Sequence, residues 1–468
     1  MMPMFSDKRP SKYIILAALL FALLIALVIS FGLQARASGR FLPIKEITTA
    51  SGLKVWLVED HSLPVISLKF LFKDAGTILD PEDKQGLVRL LSNTMDEGAG
   101  ELDSQAFQKA LSDHSITLAF NASRDGFGGE IKTLSRHKDK AFELLGLAIN
   151  KPRFDAEPVE RMRDANLTRL RSSMTKPEWI NARLLNDRAY EGHPYAKNSG
   201  GTLTSLRNIT ADDLRNFYKT NLTQDRLIIA VTGDINEGEV SKKIDAVFAQ
   251  LPKSNKTDIT PDTQIRNGGK IYLYERDIPQ TIIEVALPSF GRDDPDYFSL
   301  LVLNHLYGGS GFGSRLMEEA REKRGLTYGI YSSFATYRHA NSFSVSTSTK
   351  NESVSEMMDI IRGTMTKAQN ELFTATELED AKSYIIGSMP LALSSTNAIS
   401  SMMLGLQEND LPVDYLDTYA DKIRAVTAED LQRVAKKVLT PDNMMVVMVG
   451  KPQNLDNVER IEKLPNVE

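Results

Sequence analysis

The chain has 468 residues and no cysteine, so neither a disulfide nor a thiolate metal site is available to it. Histidine is scarce as well. There are six (His61, His114, His137, His193, His305 and His339), and none has another within the spacing that places two ligands on one helix face. Basic blocks are also missing. Fifty-six Lys and Arg stand against sixty-one Asp and Glu, and the net charge of -5 argues against nucleic acid as a partner. What is present is ordinary globular composition, 42% hydrophobic and 25% charged. The length exceeds one typical core, and two domains of about two hundred residues each are expected.

The one compositional break is N-terminal. Lys8, Arg9 and Lys12 precede an uncharged run over 13–33, and Ala35-Arg36-Ala37 follows. That layout makes 1–37 a signal peptide cut after Ala37, or, because the run approaches the ~20 residues that span a bilayer, a membrane anchor. In both cases the positive flank stays in the cytoplasm and the body is exported, to the periplasm or tethered to the inner membrane. The membrane is met only through this segment.

Periodicity predicts strands over 53–58 and 65–72, then a helix from near Lys84 carrying GLVRLLSNTM and another over 104–111. A hairpin is expected over 116–134, with Gly126, Gly128 and Gly129 marking its turn or a bulge. Helices over 137–148, 157–174 and 179–190 follow, the last stopping before Gly192 and His193-Pro194-Tyr195. A helix introduced by Thr210 and a strand over 227–232 complete this half. The polar stretch 253–268, with Pro261 and a closing Gly-Gly, reads as a linker between domains over 38–252 and 269–468.

The second half repeats the first. NITADDLRNFYKTNLTQDRLIIAVTGD begins at Asn208 and AVTAEDLQRVAKKVLTPDNMMVVMVGK at Ala425. Without a gap, Thr210 matches Thr427, Leu214 matches Leu431, Lys219 matches Lys436, Leu222-Thr223 matches Leu439-Thr440, Asp225 matches Asp442 and Gly233 matches Gly450. The architecture is therefore α+β, two copies of one domain from an internal duplication.

Within the second copy, GGSGFGSRLMEEAREKRGLTY over 308–328 is the most informative stretch. A loop of Gly308, Gly309, Gly311 and Gly313 opens onto a helix that the Ser314 hydroxyl is placed to cap and Gly325 to stop. The loop lacks the Lys and Ser/Thr of a phosphate-binding loop. A contact with substrate or partner, or a tight connection, suits it better. Arg321 falls in the last helical turn. Tyr328 is expected at the start of a strand, sharing a face with Leu326 and Ile330, so that a guanidinium and a phenol meet. A cation at a helix end beside a buried tyrosine is the plain reading.

With the opening SGLKVWLVEDHSLPVISL, KQGLVRLLSNTMDEGAG and the HPY of 193–195, this stretch resembles the pitrilysin/insulinase family of metallopeptidases, in particular its short branch with the mitochondrial processing peptidases. The resemblance implies two homologous metallopeptidase-like (LuxS/processing-peptidase-like) α/β sandwich domains. It also implies an inverted zinc motif, H-x-x-E-H, whose histidines bind the metal while the glutamate activates water. Here those three places hold Arg89, Ser92 and Asn93, and the third ligand's places on a later helix hold Thr168 and Arg169. No zinc is expected in this chain. His305, near the place in the second copy that corresponds to Arg89, reads as a core histidine rather than a ligand. The family's C-terminal half also supplies an arginine and a tyrosine to the zinc site, and Arg321 and Tyr328 match that pair. The expectation is thus a subunit without zinc that binds unfolded peptide and lends Arg321 and Tyr328 in trans to a zinc-bearing homologous partner. A scaffold or assembly protein, or a peptide-binding pseudoenzyme, is the alternative.

Overall fold

The computed structural model describes residues 40–253 and 260–468, and the expectations about the leader lie outside them. The first half contributes β1 (Lys45–Thr48), β2 (Lys54–Glu59), β3 (Val65–Lys73), β4 (Thr117–Ala122), β5 (Gly126–Leu134) and β6 (Leu227–Gly233). The second contributes β7 (Ile271–Glu275), β8 (Gln280–Pro288), β9 (Ile330–Thr336), β10 (Asn341–Lys350), β11 (Met445–Gly450) and β12 (Val458–Arg460). Among the helices are α1 (Leu87–Thr94), α2 (Ala156–Ser173), α3 (Pro177–Ala189), α4 (Ala211–Asn221), α5 (Tyr297–Asn304), α6 (Thr396–Glu408) and α7 (Ala428–Val438).

Two six-stranded sheets result, ordered β1-β2-β6-β3-β5-β4 and β12-β7-β11-β8-β10-β9. β2 runs parallel to β6 as β7 does to β11, and the next three pairings outward are antiparallel in both sheets. Only the outermost strand differs: β1 lies antiparallel to β2, whereas β12 lies parallel to β7. The matched residues occupy matched geometry. Thr210 and Thr427 each close a capping box, with Asp213 and Asp430, at the start of α4 and α7. Leu222 and Leu439 each end those helices. Gly233 and Gly450 end β6 and β11 at φ 128° and 156°, where a Cβ would meet the Val65 carbonyl or the Thr281 hydroxyl.

The central strands are apolar on both faces. In β2, Val55 and Leu57 enter the core of the first half, while Trp56 and Val58 face the other way. In β11, Val446 and Met448 enter the second core while Met445, Val447 and Val449 face out of it. A sheet buried on both faces needs a second layer, and here each half supplies it to the other. α3, from the first half, lays Ile180 and Leu184 on Met445, Val447 and Val449. α6, from the second, lays Ile399, Met403 and Leu406 on Trp56, Val58 and Ala230. Buried amides fix both registers: Asn181 Nδ2 donates to the Val447 carbonyl (3.1 Å) and Gln407 Nε2 to that of Ile229 (3.0 Å).

Several expectations need correction. The hairpin turn lies between Ala122 and Gly126, and Gly126, Gly128 and Gly129 sit within β5. There a Cβ would strike the Leu71 side chain, the Phe70 carbonyl and the Phe70 ring respectively, so these glycines let β5 lie against β3. β1 and a helix over Glu237–Phe248 were not anticipated. The described part of the linker is held by both halves: the Pro261 carbonyl meets His193 Nε2 (2.9 Å), and the Thr263 amide donates to the His339 carbonyl (2.7 Å). Its neighbourhood explains His193-Pro194-Tyr195. The Tyr195 hydroxyl donates to Asp125 (2.6 Å), and the Arg124 guanidinium lies 5.3, 5.1 and 4.7 Å from the rings of Tyr190, Tyr195 and Tyr337. The motif is a joint between the halves.

Candidate functional site

α1 follows two tight turns, and its first turn is capped from a distance. The buried Asp80 carboxylate accepts from the amides of Gly86 (2.8 Å) and Val88 (3.0 Å). Burial pushes its pKa up to about 7 while those two amides oppose the rise. Gly86 is left-handed, and a Cβ on it would lie 2.8 Å from the Gly201 Cα. That approach brings the 198–201 loop alongside α1.

Leu87, Val88, Leu90 and Leu91 face the core, which leaves Arg89, Ser92 and Asn93 to define the site. The Ser92 hydroxyl donates to the Arg89 carbonyl one turn back (2.8 Å), and the buried Asn93 Oδ1 has no partner. Arg89 donates from Nε to the Ser199 carbonyl (3.3 Å). Across from α1, α2 brings Asn166 and Arg169, with Arg169 Nη1 at 3.5 Å from Asn166 Oδ1. Arg89, Asn166, Arg169, Leu170, Trp179 and the 198–200 loop line one cleft of about 290 Å³. Burial first, then the charge of Arg169, lower the pKa of Arg89, and Asp80 offsets part of this. The structure therefore brings Arg89 and Arg169 to one cleft and adds Asn166, Trp179 and Asn198, which sequence reasoning missed. Asn166 stands one helical turn before Arg169, and that spacing was the available signal.

This donor set does not fit zinc. Two guanidiniums cannot ligate a cation and repel it, and a serine hydroxyl spent on its own helix is no base. Among the described residues, no group of three or more His, Asp or Glu could hold a metal ion. His305 stacks on the Tyr384 ring, with centroids 5.0 Å apart, and burial lowers its pKa.

The Arg321/Tyr328 region departs from expectation in three ways. The Ser314 hydroxyl does not cap the helix; it donates to the Gly311 carbonyl (2.8 Å), although the Ser314 carbonyl does accept from Glu318 (3.0 Å). The helix continues as a π-helical turn, Glu318–Glu322, and Gly325 stops it as expected, at φ 64° with its amide on the Arg321 carbonyl (2.8 Å). β9 begins only at Ile330, so Tyr328 lies in the preceding bend and is 86% exposed, neither on a strand nor buried. Arg321 and Tyr328 do meet, but through the backbone. Arg321 Nη1 donates to the Tyr328 carbonyl (2.9 Å), and the guanidinium lies 4.4 Å from the Phe312 ring. Neither residue lines the Arg89 cleft. The glycine loop divides into two parts. A Cβ on Gly308 would strike Ser332, so Gly308 lets the end of α5 lie against β9, while one on Gly309 would strike Asn304 in the turn before it. Gly311 is left-handed, and Gly311 and Gly313 flank Phe312, which is 65% exposed.

A family model described as Insulinase (Peptidase family M16) matches residues 55–202, and one described as Peptidase M16 inactive domain matches residues 208–385. A Helicobacter pylori protein named non-peptidase homolog YmxG is 25% identical over 422 residues, 89% of this chain and 95% of that one. A probable mitochondrial-processing peptidase subunit beta from Arabidopsis thaliana is 21% identical over 90% of this chain and 81% of its own length. The crystal structure of a peptidase M16 inactive domain from Pseudomonas fluorescens superposes with a TM-score of 0.82 at 28% identity, covering 88% of this chain and 99% of that one. Two models of one family together match well over half of the sequence, and the chain belongs to the insulinase (M16) peptidase family.

Proposed function

We propose that this chain is the subunit without its own zinc site in a heteromeric, exported M16 metalloendopeptidase, where it binds unfolded peptide and presents Arg321 and Tyr328 to a zinc-bearing homologous partner. One observation carries the reading. The Tyr328 phenol projects into solvent while its backbone is held by Arg321, which is itself braced on Phe312. An exposed, uncommitted donor on a held backbone suits a tetrahedral oxyanion forming at a neighbouring active site, where one well-placed donor is worth about 3–4 kcal/mol. The arginine's rigid fork suits positioning of a substrate carbonyl. Likeness to a protein named as a peptidase subunit supports the partnership.

A second reading is a scaffold or peptide-binding protein with no part in the chemistry. It is favoured by the engagement of Arg321 with groups of its own chain, and by likeness to a protein named a non-peptidase homolog.

Reconstitution with a zinc-bearing homologue decides between them, using steady-state cleavage of a quenched peptide with association measured separately. Tyr328→Phe removes only the hydroxyl and is expected to lower kcat by roughly 10²–10³ with association intact. Arg321→Ala is expected to lower kcat/KM. Full activity from the double variant would leave the scaffold reading standing.

A further inference from the structure

The cleft between α1 and α2 has the charge of an anion site, and we propose that it binds the carboxylate of a peptide on Arg89, Arg169 and Asn166. Three independent features converge there. The first is uncompensated charge. Among the described residues neither Arg89 nor Arg169 has a carboxylate within ion-pair distance, and the carboxylate that acts on Arg89, that of Asp80, is engaged with the Gly86 and Val88 amides. Each guanidinium is held at one point only: Arg89 by the Ser199 carbonyl and Arg169 by Asn166 Oδ1. The remaining N–H groups of both are free for a ligand.

The second feature is a stranded donor. Asn166 is 5% exposed, lines the cleft, and its Nδ2 has no acceptor. Buried amide donors are almost always satisfied. Here a ligand oxygen would satisfy it. The third is shape. About 290 Å³ is far more than a bare ion needs, and Leu170 and Trp179 give the cleft an apolar wall. A carboxylate on an organic stem uses both parts: its oxygens meet the planar forks of the arginines, and the stem lies on the indole.

The peptide identity of the ligand rests on the proposed peptide-binding role, whereas the anion specificity does not, and the test separates the two. Calorimetry on the full chain, without any partner, is run with four probes: an N-acetylated leucine-ended pentapeptide with a free carboxylate, its C-terminal amide, that amide with one internal aspartate, and inorganic phosphate. The free-acid or the aspartate peptide is expected to bind at least tenfold more tightly than the neutral amide, and which of the two binds identifies a chain terminus or an acidic side chain. Binding should also quench tryptophan fluorescence through Trp179, since Trp56 is buried beneath α6. Arg169→Gln, at the exposed mouth, should weaken binding at least tenfold, and Arg169→Lys by less. Asn166→Asp places a carboxylate beside Arg169 in the cleft that Arg89 also lines, so it should abolish peptide binding while raising Tm. Equal affinity of the neutral amide and of both acidic peptides would overturn the carboxylate site yet leave peptide binding intact. Absence of binding by both acidic peptides, tighter binding of phosphate than of either, or an Asn166→Asp variant that binds as before would each refute it.

Discussion

The exchanged helices make a quantitative claim, and Leu184→Ala tests it. Leu184 belongs by sequence to the first half, yet its side chain is fully buried against the second half's sheet, beside Met445, Val447 and Val449. Truncation removes the transfer free energy of the lost carbons and leaves a cavity, together about 2–5 kcal/mol in buried leucine sites. The upper part of that range is expected. β11 is backed on its opposite face by Val446 and Met448 in a second core, and α3 is pinned by the Asn181 bond to Val447, so neither wall can move in. Against a typical stability of about 5–15 kcal/mol this is a large loss. It should also be shared, because α3 cannot leave the second sheet without disturbing the linker and the Tyr195 joint. Hydrogen exchange read peptide by peptide, alongside urea denaturation, gives the result. Protection should fall in β8 and β11 as well as in α3, with Met403→Ala producing the reciprocal loss in β3 and β6. A cost below about 1 kcal/mol, or exchange raised in α3 alone, would refute the reciprocal layer.

Three further outcomes follow from the same geometry. Thr210→Ala and Thr427→Ala should each cost about 1 kcal/mol in denaturation experiments, and by similar amounts, since the two capping boxes are alike. Glu284 on β8 has its pKa raised by burial, partly offset by Ser346, from the ordinary 4.5 to about 7. The folded chain therefore holds more protons than the unfolded chain between those values, so this group's contribution is full below about pH 4.5 and is lost as pH rises through about 7. Glu284→Gln should flatten that fall in a Tm-against-pH series. Elemental analysis of the dialysed chain should find well under one zinc per molecule, and one zinc per chain would contradict the misfit of Arg89, Ser92, Asn93 and Arg169.

How much the sequence determined by itself follows from what is local. The duplication was legible because capping boxes and helix ends are fixed by neighbouring residues, and Thr210/Thr427 and Leu222/Leu439 therefore repeat in geometry as in letters. That Arg89, Ser92 and Asn93 offer no zinc ligands is likewise read from residue type alone. Partners distant in sequence were not. Alternation placed Tyr328 on a strand, but pairing between β9 and β10 decides where a strand begins, and it starts two residues later. The glycines of β5 read as a turn because their need, room for Phe70 and Leu71 of a strand some sixty residues earlier, is a tertiary fact. No local pattern could assign α3 to the second sheet or α6 to the first: an apolar stripe specifies that a helix is covered, never by which surface. Only the fold decided that, and only the fold set Asn166 beside two arginines with its amide unanswered.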